Sequence, residues 1–280
     1  MIAIADLIAA WNTFFHEPAS LLPLAVFRFC FGIVIFLNAL LLTRVVPRHL
    51  APDAIFTFAR FEKAYGRRRF TLLNLLPPTS ASVYLLVWLS ALAGVTLAFG
   101  LGTRVSSVIC FLSLTSLHHR NPAIFHGGDT VMRLMCFLLM FSPAGNGWSV
   151  DAMLDGRWEA SGDPWCLRLM QIQVSIIYLR NVFWKMRGEE WRNGTALWYT
   201  ANCPAFTRYA IPRSLLKTPF VQIATWFALA IECSLGSLIW ITECRTVAMI
   251  IGIAFHLTLE ITMNLQLFGY TMIACLLLFL

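Results

Sequence analysis

The sequence predicts an all-α membrane protein, a polytopic bundle of about eight transmembrane helices. Hydrophobic residues make up 59% of the 280 positions and charged residues only 12%, and the mean hydropathy is +0.71. A soluble domain carries roughly 25% charged residues. Apolar stretches of about 20 residues recur along the chain, and each can cross the hydrocarbon core as a helix. This pattern excludes an ordinary soluble enzyme.

Eight apolar stretches define the predicted spans, and residues 1–280 form a single predicted domain. The first 20 residues lack the basic start and the cleavage site of a signal peptide, so we expect an interfacial helix there. Some spans are short, and seven to nine crossings fit the pattern. The predicted spans are 21–43, 82–101, 104–118, 131–144, 165–185, 220–241, 246–261 and 263–280.

Positive charge is concentrated in two polar loops, 44–81 and 186–219. The formal net charge of +7 would suggest nucleic acid in a soluble protein, but membrane proteins concentrate Lys and Arg in their cytoplasmic loops. We therefore expect membrane lipids as partners and no nucleic acid. With eight spans the positive-inside rule places both loops in the cytoplasm, although an interfacial segment 50–75 leaves the orientation open.

Short motifs of familiar enzymes are missing. The sequence has no GxGxxG, P-loop, HExxH, GxSxG or CxxCH, which excludes nucleotide, zinc-protease, serine-hydrolase and c-type haem sites. The eight cysteines are scattered, mostly within apolar runs and without CxxC spacing. We interpret them as buried hydrophobic residues.

Segment 118–129 concentrates ionisable side chains around helix-breaking Pro and Gly residues, which predict a loop or re-entrant segment. No two of its three histidines are four residues apart, so we expect no metal site. His126 is a candidate for acid–base chemistry. Asp129 either caps the next helix or pairs with Arg133.

The fifth predicted span carries a polar stripe along one face. Its members follow at gaps of three or four residues and fall within an arc of roughly 140°. An ionisable side chain inside the bilayer is costly unless it is paired or hydrated, which makes it a functional candidate. The alternative is hydrogen bonding between helices, with the charged ends reaching the headgroups. The stripe consists of Arg168, Gln171, Ser175, Tyr178, Asn181 and Lys185.

Two later spans contain further ionisable groups. His256 and Glu260 are four residues apart and therefore share a helix face. A histidine beside a carboxylate can transfer protons, and the same spacing also serves a structural hydrogen bond. Glu232 lies mid-way along the sixth span, where we expect it to be protonated or paired with Lys185, Arg180 or Arg28.

The segment from Tyr178 through Lys185 and Trp191 to Gly194 resembles the Tyr, Lys-Leu, Trp, Gly signature of the vitamin K-dependent γ-glutamyl carboxylases. It also resembles their bacterial relatives, the horizontally transferred transmembrane (HTTM) family. Three more blocks resemble these proteins in the same order: 119–129, 136–151 and 255–272. The resemblance covers essentially the whole chain.

This resemblance implies a chemistry. In carboxylases the lysine matching Lys185 is the proposed base for oxygenation of vitamin K hydroquinone, and His256 matches a family histidine. We therefore expect a carboxylase-like or quinol-epoxidase-like lyase of the bacterial cytoplasmic (inner) membrane, acting on a lipid quinol or a membrane-presented peptide. The alternative is a non-catalytic factor for maturation or export of a secreted, toxin-like peptide. A transporter is a third reading.

The candidate site residues fall into two groups. The predicted catalytic residues are Lys185, His256, Tyr178 and His126. The predicted substrate contacts are Arg168, Asn181, Glu232, Glu260, Trp191 and Asp129.

Overall fold

The computed structural model describes residues 4–58, 60, 63, 70–156, 158 and 161–280. The prediction of an all-α membrane protein is confirmed. Within the described residues, strand structure is limited to β1 (Ala19–Ser20) and β2 (Ser161–Gly162), which pair antiparallel. The chain forms two compact units, 1–169 and 170–280. Each unit is described by itself.

The first unit contains six complete helices, as far as its described residues go, and the start of a seventh. Its helices begin with recognisable caps: the Thr79 hydroxyl accepts the N–H of Ser82, and Gly100 ends its helix in the left-handed conformation. The helices are α1 (Ile4–His16), α2 (Leu22–Val45, continued by a π-helical turn Val46–Leu50), α3 (Ser80–Phe99), α4 (Thr103–Arg120), α5 (Gly127–Leu139) and α6 (Val150–Leu154), with short 3-10 turns at Leu72–Leu75 and Pro122–Ile124.

Helices α2, α3 and α4 form the core of the first unit. A Cβ atom added to Gly32 would lie 2.6 Å from the Gly94 oxygen and the Ala98 nitrogen. The α2 and α3 backbones therefore approach as closely as small residues allow, a common way for membrane helices to associate. Further along the two helices, apolar side chains such as Leu42 and Leu86 form a buried cluster.

The second unit starts within α7 (Trp165–Lys185), whose residues from Met170 onward belong to it. Asp163 starts this helix by accepting the N–H of Trp165. The remaining elements are α8 (Glu189–Arg192), α9 (Ala196–Ala201), α10 (Thr218–Gly236), α11 (Thr242–Thr262) and α12 (Phe268–Leu276), with 3-10 turns at Leu238–Trp240 and Leu277–Phe279.

All eight predicted apolar segments are helical, and within the described residues four of these helices are long and apolar enough to cross a membrane. These four are Leu22–Leu50, Ser80–Phe99, Thr218–Trp240 and Thr242–Thr262. The segment predicted at 131–144 belongs to α5, whose 13 residues reach only about 20 Å. The segment at 263–280 gives the equally short apolar helix Phe268–Phe279. Helices α4 and α7 are long enough, but they carry more polar residues.

Two sequence interpretations fall partly outside the described residues. The arginine run 67–69 of the first basic loop is one, and Arg157 and Glu159 of the intervening acidic segment are the other. In the N-terminal segment 1–20, a helix is confirmed as α1 over Ile4–His16.

Candidate functional site

The polar stripe of α7 connects this helix to other elements of the second unit. The Gln171 amide donates to the Leu278 oxygen at 2.7 Å. Ser175 accepts the indole N–H of Trp240, also at 2.7 Å. Both are hydrogen bonds between separate helical elements, so this half of the stripe serves packing, as one of the two sequence interpretations expected.

The other half of the stripe ends in a buried ion pair. Lys185 Nζ lies 2.6 Å and 2.7 Å from the two carboxylate oxygens of Glu232 on α10. The Asn181 amide nitrogen lies one turn earlier on α7 and donates to the same two oxygens at 3.0 Å and 3.1 Å. The predicted basic partner of Glu232 is confirmed, and it is Lys185. Arg28, another of the expected partners, donates instead to the Trp148 oxygen of the first unit.

Exposure differs across this cluster. The Glu232 side chain is 7% exposed and that of Lys185 is 21% exposed, whereas Asn181 is exposed. The carboxylate is thus covered while the ammonium group borders the outside of the unit. A molecule from the surroundings can reach the lysine without unfolding any helix.

A tight turn brings Trp191 onto Lys185. The α7 helix ends at Lys185, and its N–H acceptor pattern continues through Gly188 before α8 begins. The Trp191 ring centroid then lies 4.5 Å from Lys185 Nζ, within the range of a cation–π interaction. Trp191 therefore contacts the ammonium group that the sequence pattern associated with it.

Tyr178 and His256 form a second buried pair. The Tyr178 hydroxyl lies 2.7 Å from His256 Nε2, and each residue is 2% exposed. His256 Nδ1 has no hydrogen-bond partner among the described residues. Tyr178 precedes Lys185 by seven residues on α7, about 10 Å along the helix axis. The two pairs therefore occupy one helix face at two depths.

The expected pairing of His256 with Glu260 is wrong. The Glu260 carboxylate instead accepts the backbone N–H groups of Leu267 at 3.2 Å and Gly269 at 2.9 Å. These groups lie at the start of α12, where the helix leaves N–H donors without partners and favours negative charge. Glu260 therefore serves as a structural cap, and its neighbour His256 bonds to α7.

The remaining candidates lie in the first unit and cap or anchor its helices. His126 Nδ1 accepts the N–H of Gly128, and the Asp129 carboxylate accepts the N–H of His126 at 2.8 Å. This capping box starts α5 and confirms the capping interpretation of Asp129. Arg168 Nε donates to the Phe14 oxygen at 3.3 Å, and its guanidinium lies over the Phe14 ring.

Sequence reasoning missed two partners of the stripe. Trp240 was part of an apolar span, and nothing in the local pattern predicts that its indole turns toward Ser175. The acceptor of Gln171 is a backbone oxygen near the end of the chain, and a backbone acceptor has no residue-type signal.

The candidate site of the second unit therefore consists of Tyr178, Asn181, Lys185, Glu232 and His256, with Trp191 beside the lysine. The model of the HTTM domain family matches residues 16–280. This chain belongs to the HTTM family. The matched region of this HTTM protein contains the whole candidate site and all of the helices from α2 to α12.

Two curated relatives come from Bacillus subtilis strain 168. Sporulation-delaying protein SdpB is 29% identical over 164 residues, which are 55% of this HTTM chain and 51% of SdpB. The chain thus matches about half the length of SdpB. The uncharacterized protein YitO is 23% identical over 225 residues, which are 77% of this chain and 69% of YitO. No solved structure matches the chain.

Proposed function

We propose that this HTTM protein is a membrane-embedded acid–base catalyst that acts on a lipid quinol or a membrane-presented peptide, with Lys185 as the base. The observation that carries the proposal is the Lys185 ammonium group held on both oxygens of a covered Glu232, at a position open to the outside of the unit. Buried ionisable groups inside a span are costly and are usually retained for function.

The geometry supplies a proton path. A lysine takes a proton only as the neutral amine, so Lys185 must first lose one. Glu232 lies 2.6 Å away and accepts that proton without any movement of either side chain. The amine then takes a proton from the substrate and becomes an ammonium again, while the protonated Glu232 releases its proton to water or to product. Asn181 keeps the carboxylate in place through both of its oxygens.

The residues present fit a quinol, because His256 Nδ1 is a buried acceptor or donor with no partner among the described residues and Lys185 is reachable. A quinol supplies an acidic hydroxyl and two electrons when it is bound. Lys185 would take the hydroxyl proton. Tyr178 would fix the orientation of His256 through the bond to Nε2.

The test uses purified protein in nanodiscs with vitamin K hydroquinone, oxygen and labelled bicarbonate. We expect quinol consumption, measured by chromatography, in the wild type. Lys185→Arg keeps the positive charge but cannot deprotonate at neutral pH, so it should abolish turnover at least a hundredfold, the usual scale of a catalytic base. Arg187→Gln removes a nearby surface arginine and serves as the matched control. Equal turnover in wild type and Lys185→Arg would remove the base assignment.

A second candidate is a non-catalytic membrane factor for maturation or export of a secreted peptide. The similarity to SdpB, a protein named for delaying sporulation, favours it. In this case the ion pair and the Tyr178–His256 bond would only hold the helices together. The Bacillus relatives also support the bacterial cytoplasmic membrane as the location of either function.

The second candidate predicts dependence on the protein but not on its lysine. Deletion of the gene should remove a peptide from the culture medium, detected by mass spectrometry. Expression of Lys185→Arg at matched membrane level should restore it, because arginine keeps the bond to Glu232. Failure of Lys185→Arg to restore the peptide would contradict a purely structural role.

A further inference from the structure

The first unit contains a polar cavity that is separate from the residues discussed so far. It has a volume of about 360 Å³ and lies between the start of α4, the turn 142–146 and the end of α6. This volume falls within the usual range for small-ligand pockets. Its charged lining residues are Arg104, Asp151 and Asp155, and Leu154 adds an apolar wall.

Asp151 is committed to the fold rather than to a ligand. Its carboxylate accepts the N–H of Gly102 at 2.7 Å, and the N–H and hydroxyl of Thr103, both at 2.8 Å. Gly102 has no side chain to cap α4, so Asp151 supplies the missing acceptor at that helix start. One wall of the cavity is therefore fixed by a satisfied carboxylate.

The other two charged residues differ in sign and come from different elements. Arg104 lies in the first turn of α4, is exposed, and forms no ion pair or hydrogen bond with any described residue. Asp155 follows α6 directly. A cavity with a cation on one wall and a carboxylate on another suits a ligand that carries both charges.

Exposed apolar side chains surround this end of the unit. Leu154, which lines the cavity, is 71% exposed, and Phe141, Trp148 and Trp158 are also exposed. Exposed tryptophans next to polar loops are typical of the membrane–water interface. The cavity therefore lies where lipid head groups lie, with apolar surface available for acyl chains.

We propose that this cavity binds the head group of phosphatidylethanolamine. Arg104 would bind the phosphate, because a guanidinium recognises phosphate oxygens through several N–H donors. Asp155 would accept hydrogen bonds from the ammonium group, and the acyl chains would lie on the surface around Leu154. Phosphatidylcholine has no N–H donor for Asp155, and phosphatidylglycerol has no cation, so both should bind more weakly.

Native mass spectrometry of the purified protein tests this proposal after equilibration with equal amounts of the three lipids. We expect phosphatidylethanolamine to be retained about tenfold over each competitor, the ratio expected for one charge-assisted hydrogen bond. Arg104→Gln should lower retention of phosphatidylethanolamine about tenfold. Asp155→Asn should leave phospholipid bound but remove the preference over phosphatidylcholine. The matched control Arg213→Gln, an exposed arginine of the other unit, should behave as the wild type.

Soluble phosphoethanolamine distinguishes a lipid from a free head group. Displacement of the bound lipid only at a large molar excess would support a lipid site, because the soluble compound lacks the acyl contacts. Displacement at equal concentration would overturn the lipid assignment. Equal retention of the three lipids, or unchanged retention in Arg104→Gln with unchanged thermal unfolding, would overturn the proposal as a whole.

Discussion

Removal of the Glu232 carboxylate should destabilise the second unit through the lysine that it leaves behind. Breaking a buried ion pair by removing one partner costs about 3–5 kcal/mol. The Lys185 side chain is 21% exposed, so water recovers part of this cost, and we expect about 2–4 kcal/mol for Glu232→Ala. Glu232→Gln keeps one acceptor for Lys185 and should cost about 1–2 kcal/mol. In the double variant Lys185→Met with Glu232→Leu the stranded charge is gone, and we expect a cost well below the sum of the single costs.

Reversible unfolding in mixed detergent micelles, followed by tryptophan fluorescence, yields these free energies. A coupling of about 2 kcal/mol between Lys185 and Glu232 would support the pair as the structure has it. Single costs that simply add would refute the reasoning, because independent sites carry no coupling. Equal unfolding free energies for Glu232→Ala and Glu232→Gln would show that water already reaches the carboxylate.

Three further predictions test other parts of the fold. Burial raises the pKa of Asp151, but the hydrogen bonds from Thr103 and Gly102 outweigh it and the net pKa lies below the ordinary carboxyl value. The stability that Asp151 contributes is thus present above that ordinary value and is lost as the pH falls through the lowered one. Asp151→Asn should cost about 1 kcal/mol at pH 7, with the two proteins converging in acid; a constant difference down to pH 2–3, roughly a unit below the ordinary carboxyl pKa, would contradict this. Gly32→Ala should cost about 1–3 kcal/mol in the same unfolding assay because its Cβ meets the α3 backbone, whereas a Cβ at Gly127 meets nothing within 4 Å and should be neutral. Tyr178→Phe should cost about 1–2 kcal/mol by leaving the His256 ring nitrogen buried without a partner; an unchanged free energy would mean that water replaces the hydroxyl.

Regular features of the fold could be predicted because they repeat along the chain. The 3.6-residue period places Tyr178, Asn181 and Lys185 on one face of α7, and the structure confirms that all three bond inward. The cost of an unpaired carboxylate predicted a basic partner for Glu232 before any contact was known. These inferences depend only on local geometry and on the low polarity of the membrane.

Features that depend on chain reversals could not be predicted. Glu260 bonds to Leu267 and Gly269 because the chain turns at Leu267, which adopts a left-handed conformation, and starts α12 beside α11. A Cβ at Gly269 would lie 2.5 Å from the His256 oxygen, so this close approach requires glycine. The spacing of His256 and Glu260 contains no information about that turn.

The central claim, that Lys185 acts as a base and does not merely hold α7 against α10, is tested most directly by the secreted peptides of cells that carry different forms of the protein. Mass spectrometry would compare wild type, gene deletion, Lys185→Arg and Lys185→Met at matched membrane levels. A catalytic base predicts that a peptide or peptide modification lost on deletion stays lost in both lysine variants. Recovery of that product in Lys185→Arg to the wild-type level would contradict the claim.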